Sequence, residues 1–238
     1  MDKSYEEIYA VVEERHPWFV ARRRLFAALA GDDRRARVLD VGCGTGIFLV
    51  HLEALGFEHL AGVETSADLR AKARDPSIEM LPEIPERRDD GVFSYDKVFM
   101  LDVLEHIDDD RGTLDRIHGL LEPGGRFYLS VPAHPFLWSR HDDINQHRRR
   151  YRKAELGEKL RAAGFIIRKL SYWNSLAFPA ICLARWLKLG ESSSDFAIGN
   201  PAAWWLYGAV LRFENWWVQR MPLPIGVSLI AVAEKADA

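Results

Sequence analysis

The stretch RVLDVGCGTGIFLVHL, residues 37–52, constrains this chain more than any other. A short apolar run passes straight into Gly-x-Gly-x-Gly, with Gly42, Gly44 and Gly46 at alternate positions, and then into a helical pattern. Glycine lets the backbone take left-handed conformations and lets a ligand approach it closely. The helix that follows opens with unpaired N–H groups and a partial positive charge. Strand, glycine turn and helix in that order begin a parallel crossover unit whose ligands sit at the strand's carboxyl end. Dinucleotide sites usually space their glycines G-x-G-x-x-G. This turn is tighter by one residue and is preceded by Asp40. Taken alone, it fits a ligand site and tight packing equally well.

Apolar runs and helical patterns alternate along the rest of the chain. Residues 4–30 read as helical, with a break at Pro17. After the glycine turn come a strand in HLAGVE, a helix in SADLRAKARD capped by Ser66, a weak strand in SIEML and a strong one in YDKVFMLD. DDDRGTLDRIHGLLEPGG reads as a helix and its stop, RFYLSVP as a fifth strand, KAELGEKLRAAGF as a helix, IIRKLSY as a sixth strand and VSLIAVAEK as a seventh. This alternation predicts a doubly wound α/β sheet with its loops gathered on one edge. The chain of 238 residues reads as one domain: a helical lid over 1–33, a core from 34–171 and 227–238, and an insertion over 172–226. That insertion holds Trp173, Trp186, Trp204, Trp205, Trp216 and Trp217, and is too long for a structureless loop.

Composition narrows the classes. A net charge of −3 gives no global reason to bind nucleic acid. Cys43 and Cys182 make neither a disulfide framework nor a zinc spacing. The acidic, amphipathic start lacks the pattern of a signal peptide, and no run reaches the ~18 apolar residues of a spanning helix. We therefore expect a cytoplasmic protein.

Glu64 raises the meaning of the turn. It ends the second strand, eighteen residues after Gly46, where a carboxylate can accept hydrogen bonds from both hydroxyls of a ribose. With VLDVGCGTG, GVETS, YDKVFMLDVLEHIDDD, LLEPGGRFYLSVP and AELGEKLRAAGF together, the chain resembles the class I S-adenosylmethionine-dependent methyltransferases, in the broad ubiquinone-biosynthesis and type 11 group. EERHPWFVARRRLF, VPAHPFLW, HDDINQHRRRYRKAEL and SYWNSLAFPAICLARW are similar to a bacterial subgroup often encoded near cell-surface glycan and lipid genes. The resemblance implies a Rossmann-like seven-stranded sheet with an antiparallel last strand, and S-adenosyl-L-methionine as cofactor. It implies that Gly42, Gly44 and Gly46 line the methionine and ribose portion, that Asp40 supports the turn, and that Glu64 takes the ribose hydroxyls. Met80 and Leu81 would flank the adenine, and Met100, Leu101 and Asp102 would face the methionine end. Many relatives carry an Asp after the third strand for the adenine amino group; EMLPEIP offers only Glu79 or backbone there.

Methyl transfer from an activated sulfonium needs mainly positioning, with a general base where the nucleophile is a hydroxyl or ammonium. LDVLEHID supplies Glu105 and His106, and the loop after the fifth strand supplies His141 and His147, so His106, His141 and His147 are the candidate bases. From His134 to Lys153 six Lys and Arg stand against two Asp, a local charge of +4. His134, Arg149 and Tyr151 of that loop, with His16 and Trp18 of the lid, are the candidate acceptor contacts. The competing reading is a solvated loop in which Tyr151 packs and an arginine pairs with Asp142 or Asp143. A third reading, a metal held by His134, His141, Asp142 and His147, matches no standard spacing, and no metal is assigned. The insertion suits a pocket cap, a membrane surface, a dimer contact or plain core. The expected acceptor is a small molecule or a lipid- or glycan-linked amphiphile, which would put the protein at the inner face of the membrane. A nucleotide-cofactor oxidoreductase and a non-catalytic scaffold are the alternatives.

Overall fold

The computed structural model describes residues 12–86, 94–187 and 201–237. Seven strands form one sheet: β1 (Arg37–Val41), β2 (His59–Val63), β3 (Glu79–Leu81), β4 (Tyr95–Leu101), β5 (Leu121–Pro132), β6 (Phe165–Trp173) and β7 (Ser228–Lys235). Their order is β3-β2-β1-β4-β5-β7-β6, with β7 antiparallel to both neighbours and the strands from β3 to β5 paired parallel. The expected antiparallel last strand is therefore present, and the order reverses beside β1, where the glycine turn lies.

The strand residues alternate between two cores, as a period of two requires. Leu39, Val41, Val98, Met100, Phe127, Leu129 and Val131 point to one face. There they meet α4 (Asp110–Leu120) and α6 (Lys153–Ala162) through Leu114, Ile117, Leu156 and Leu160. Val38, Phe99, Tyr128 and Ile230 point to the other face, with Phe99 stacked on Tyr128 at 4.5 Å. That face is covered by α1 (Pro17–Ala30), α2 (Ile47–Ala54) and α8 (Pro201–Arg220) through Leu25, Phe26, Phe48, Leu211 and Val218. Burial on both faces explains why the central strands are nearly unbroken apolar runs.

Three boundaries differ from the sequence reading. The first helix is continuous only from Pro17, whose fixed φ suits a first turn; residues 1–11, where the expected helix begins, lie outside the described residues. EPGG is not only a helix stop: pairing begins at Leu121 opposite Tyr95 and resumes at Arg126 opposite Lys97, with Gly124 at φ +72° in the irregular step. β6 continues through Trp173, which is fully buried, so the insertion starts two residues later than expected. The insertion contributes α7 (Phe178–Trp186) and α8. Helix α8 is half core: the Trp173 indole donates to Asn215 Oδ1 at 2.9 Å, and Asn215 Nδ2 donates to the Ala21 carbonyl at 2.8 Å, tying insertion, sheet and α1 together.

Candidate functional site

A cavity of about 1150 Å³ opens along the carboxyl ends of β1, β2 and β4. Gly42 and Gly44 form one wall. Gly42, Gly44 and Gly46 all hold positive φ, at +75°, +58° and +79°, which side chains other than glycine adopt at a cost. The three have different neighbours. A Cβ on Gly42 would meet Val103 Cγ2 at 2.3 Å, one on Gly46 would reach Met80 Cε at 3.9 Å, and one on Gly44 would enter open space. Gly44 thus leaves room beside the backbone that a ligand can fill. Glu64 spans the turn and the next helix: Oε2 accepts from Gly44 N–H at 3.0 Å and Oε1 from Ser66 N–H at 2.8 Å. Ser66 in turn caps α3 (Ala67–Ala71) by accepting from Leu69 N–H. The carboxylate therefore faces the cavity in a fixed orientation with lone pairs to spare.

Asp40 lies in β1 beneath the turn, away from the cavity wall, and burial pushes its pKa up to about 8. Met80 and Leu81 are displaced from the expected place. Met80 packs behind the turn against Cys43 Sγ, and Leu81 against the core; Glu83 and Ile84, further along, line the cavity instead. Glu79 is exposed on β3 and also off the wall, so the carboxylate near this rim is Glu83. Met100 is buried in the core, whereas Leu101 and Asp102 reach the cavity. Asp102 holds φ +58° at the end of β4. It is fixed by an ion pair with Arg22 of α1 and by Ser130 Oγ, which donates at 2.8 Å.

A further stretch of wall carries Glu105, His106, His141, Asn145, His147 and Arg150. A 3₁₀ turn over Leu104–His106 presents Glu105 and His106, and α5 (Arg140–Ile144) with its following loop presents the rest. Asp142 organises this wall from behind. It is fully buried, its Oδ1 contacts His147 Nδ1 at 2.8 Å and accepts from Arg150 Nε at 2.7 Å, and its Oδ2 accepts from Ser139 N–H. Burial opposes its charge, but the hydrogen bonds from His147 and Arg150 outweigh that and hold the carboxyl well below the usual range. With Nδ1 engaged, His147 has Nε2 left for the cavity. His106 stands edge-to-face with His147 at 4.8 Å between ring centres. It is an exposed residue of the cavity wall; partial loss of water there, then the neighbouring His147, pushes its pKa down to about 4. Glu105 is 1% exposed, and its Oε2 finds no hydrogen-bond partner among the described residues. Desolvation, reinforced by Asp102, raises its pKa well above the carboxylate range. His141 lies beside His147, ring centres 6.2 Å apart.

The remaining expected contacts separate into two groups. His16 and Trp18 line the cavity, and His16 is packed edge-on against Trp204 and Tyr207 of α8, which helps roof it. His134, Arg149 and Tyr151 do not reach it. His134 stacks on Tyr172, Arg149 pairs with Asp110, and Tyr151 is fully buried with its hydroxyl donating to Asp110 Oδ2 at 3.0 Å. Much of the loop's positive charge is spent on structure: Arg148 pairs with Asp108 and Arg150 with Asp142. The residues that sequence reasoning undervalued are Arg22, Glu105, Asp142 and Arg150. Arg22 and Asp142 pair with Asp102 and Arg150, which lie outside their own helices, and the burial of Glu105 depends on the packing around the 3₁₀ turn.

A doubly wound sheet with this strand order and a glycine-walled, carboxylate-edged cavity at its switch point defines the class I S-adenosylmethionine-dependent methyltransferase fold. A family model described as a methyltransferase domain matches residues 12–170, and the chain belongs to that family. It is 26% identical over 155 residues to the ubiquinone biosynthesis O-methyltransferase of Aeromonas salmonicida, a match over 57% of this chain and 65% of that one. The chain thus spans a little under two thirds of that relative. The fold also matches an S-adenosylmethionine dependent methyltransferase of Mesorhizobium loti, at TM-score 0.60 and 15% identity over 90% and 98% of the two chains. Phosphoethanolamine N-methyltransferase 2 of Haemonchus contortus matches at 0.61 and 18% over 90% and 52%.

Proposed function

We propose that the protein transfers a methyl group from S-adenosylmethionine to a hydroxyl oxygen of an amphiphilic, lipid-linked acceptor. The observation that carries this reading is two sets of groups lining one cavity: Glu64 with the open face of Gly44, and the Asp142-held His147 with His106 and Glu105. The donor set fits a nucleoside sulfonium. Gly44 leaves backbone space for it, Glu64 offers acceptors for two ribose hydroxyls, and Asp102 offers a carboxylate toward a cationic methionine end. When bound, S-adenosylmethionine supplies a methyl group already activated on sulfur.

The chain's own work is to orient and deprotonate. Asp142 holds the His147 Nδ1–H, so Nε2 is the lone pair that takes the proton of an acceptor hydroxyl. Arg150 keeps Asp142 ionised. His106, neutral across the physiological range, orients the acceptor without adding a repelling charge. The Arg22–Asp102 pair fixes the floor between the two ends, and His16 and Trp18 shelter the reaction from water.

The amphiphilic acceptor is supported by the outer face of the insertion. Trp186 is 79% exposed and Trp205 69%, and Leu176, Leu183, Leu206, Phe213, Trp216 and Met221 are exposed with them. Such a face suits the headgroup boundary of a membrane. Among the described residues no helix is long and apolar enough to cross one. Ala177, Ala180, Ile181 and Arg185 of the insertion also line the cavity, so the same segment reaches both surface and site. Lipid and glycan extracts incubated with the protein and methyl-labelled cofactor, followed by mass spectrometry, test this. A labelled methyl ether on a lipid-linked product is expected. Labelling confined to small polar acceptors, with no binding to liposomes, would overturn the acceptor assignment.

A further inference from the structure

We propose that Glu105, His106 and His147 form a binding site for one divalent transition-metal ion at the acceptor end of the cavity. One ligand atom from each residue lies within 4.8 Å of the others. Ligand atoms sharing one ion at bonds of about 2.0–2.2 Å stand roughly 3–4 Å apart, so side-chain adjustment closes the set. Glu105 Oε2 is buried and has no hydrogen-bond partner among the described residues, which is an acceptor kept in place without a donor. His147 is braced as metal ligands are, with Nδ1 on the Asp142 carboxylate at 2.8 Å, and its ring meets that of His106 edge-on at 4.8 Å between centres. Such an outer partner fixes ring orientation and leaves the second nitrogen for an ion. The Asp142 carboxylate is itself locked by Arg150 and Ser139, so the brace is rigid.

Two imidazoles and one carboxylate select Zn²⁺, Mn²⁺ or Fe²⁺ over Mg²⁺ and Ca²⁺, which take oxygen sets. Three protein ligands leave coordination positions open, and these residues line the cavity. An acceptor hydroxyl bound there would lose its proton to water at a lowered pKa. Its oxygen would then form the bond to the methyl carbon as the carbon–sulfur bond breaks, the electron pair staying on sulfur. In this form His147 serves the ion rather than the proton. This role, though not the site itself, rests on the methyl-transfer reading.

Titration of tag-free, chelator-treated protein with Co²⁺ tests the site. The expected result is one equivalent bound, with the visible absorption of a low-symmetry cobalt centre, displaced by Zn²⁺ and not by Mg²⁺. Glu105→Gln and His147→Gln should weaken binding at least 100-fold, and Asp142→Asn about 10–100-fold. Thermal unfolding and S-adenosylhomocysteine calorimetry show whether each variant is folded. A wild-type protein that leaves the hexaaqua cobalt spectrum unchanged, or a Glu105→Gln variant that binds as tightly as wild type, overturns the proposal. Cobalt binding without S-adenosylhomocysteine binding would keep the site and remove the methyl-transfer reading. The opposite pair of results would remove only the site.

Discussion

Gly42 and Gly44 share a motif and a backbone conformation but guard different things. Gly42→Ala would force a methyl group against Val103 at a φ that already disfavours it. The two effects together cost about 2–5 kcal/mol, which for a chain of this size lowers Tm by roughly 5–15 °C. Gly44→Ala meets no neighbour, so the backbone term alone remains, at about 1–2 kcal/mol. Its main effect should be on cofactor affinity, weakened at least tenfold by calorimetry while the unfolding curve moves little. Equal loss of affinity in both variants without loss of stability in Gly42→Ala would contradict this division. The residue scale was also where sequence reading went furthest. Gly42, Gly44, Glu64 and Asp102 stand together because each closely follows the carboxyl end of one of three neighbouring parallel strands, β1, β2 and β4. Met80, Arg149, His134 and Tyr151 were misplaced because sequence spacing does not say which way a side chain turns. Each found a better partner inside, Met80 against Cys43 and Tyr151 on Asp110.

At the scale of elements, α5 and its loop carry the catalytic claim. Asp142→Asn keeps shape but removes the charge that orients His147 and pairs with Arg150. We expect kcat to fall about 10²–10⁴-fold, with S-adenosylhomocysteine affinity unchanged and some loss of stability. An Asp142→Asn variant with wild-type kcat would rule out the His147–Asp142 pair as proton acceptor. Helix α8 carries the membrane claim. Its inner face is anchored by Leu211, Asn215 and Val218, so replacing Trp205, Trp216 and Trp217 by Ser removes apolar surface from the exposed side only. The triple variant should keep its Tm within a few degrees and lose most binding to anionic liposomes; undiminished sedimentation with vesicles would contradict the assignment. The alternation of strands and helices was legible because period and length both change at each boundary. The division of α8 into core and surface faces was not, since tryptophans lie on both.

The whole molecule responds to pH through histidines that it keeps neutral. His16, almost fully buried, and His106 are both held near 4, below the ordinary 6.5, by loss of water. A lowered folded pKa means that the unfolded chain binds protons first, so their contribution is complete above pH 6.5 and is lost as pH falls toward 4. Stability measured by denaturant should therefore decline between pH 6.5 and 4, and His16→Gln and His106→Gln should each flatten that decline; a slope unchanged in both would contradict the assignment. The three layers were readable as a class of fold from the sequence. The cavity was not, because it is made by α1, the 3₁₀ turn, α5 and the insertion together, four segments with no shared local signal.

Calorimetric titration of the protein with S-adenosylhomocysteine, with NAD as the control, tests the central claim most directly. The account predicts one S-adenosylhomocysteine bound per chain and no heat with NAD. Glu64→Ala should weaken that binding about 100-fold, the loss of two hydrogen bonds to a charged acceptor. Binding of NAD, or S-adenosylhomocysteine affinity unchanged in Glu64→Ala, would contradict it.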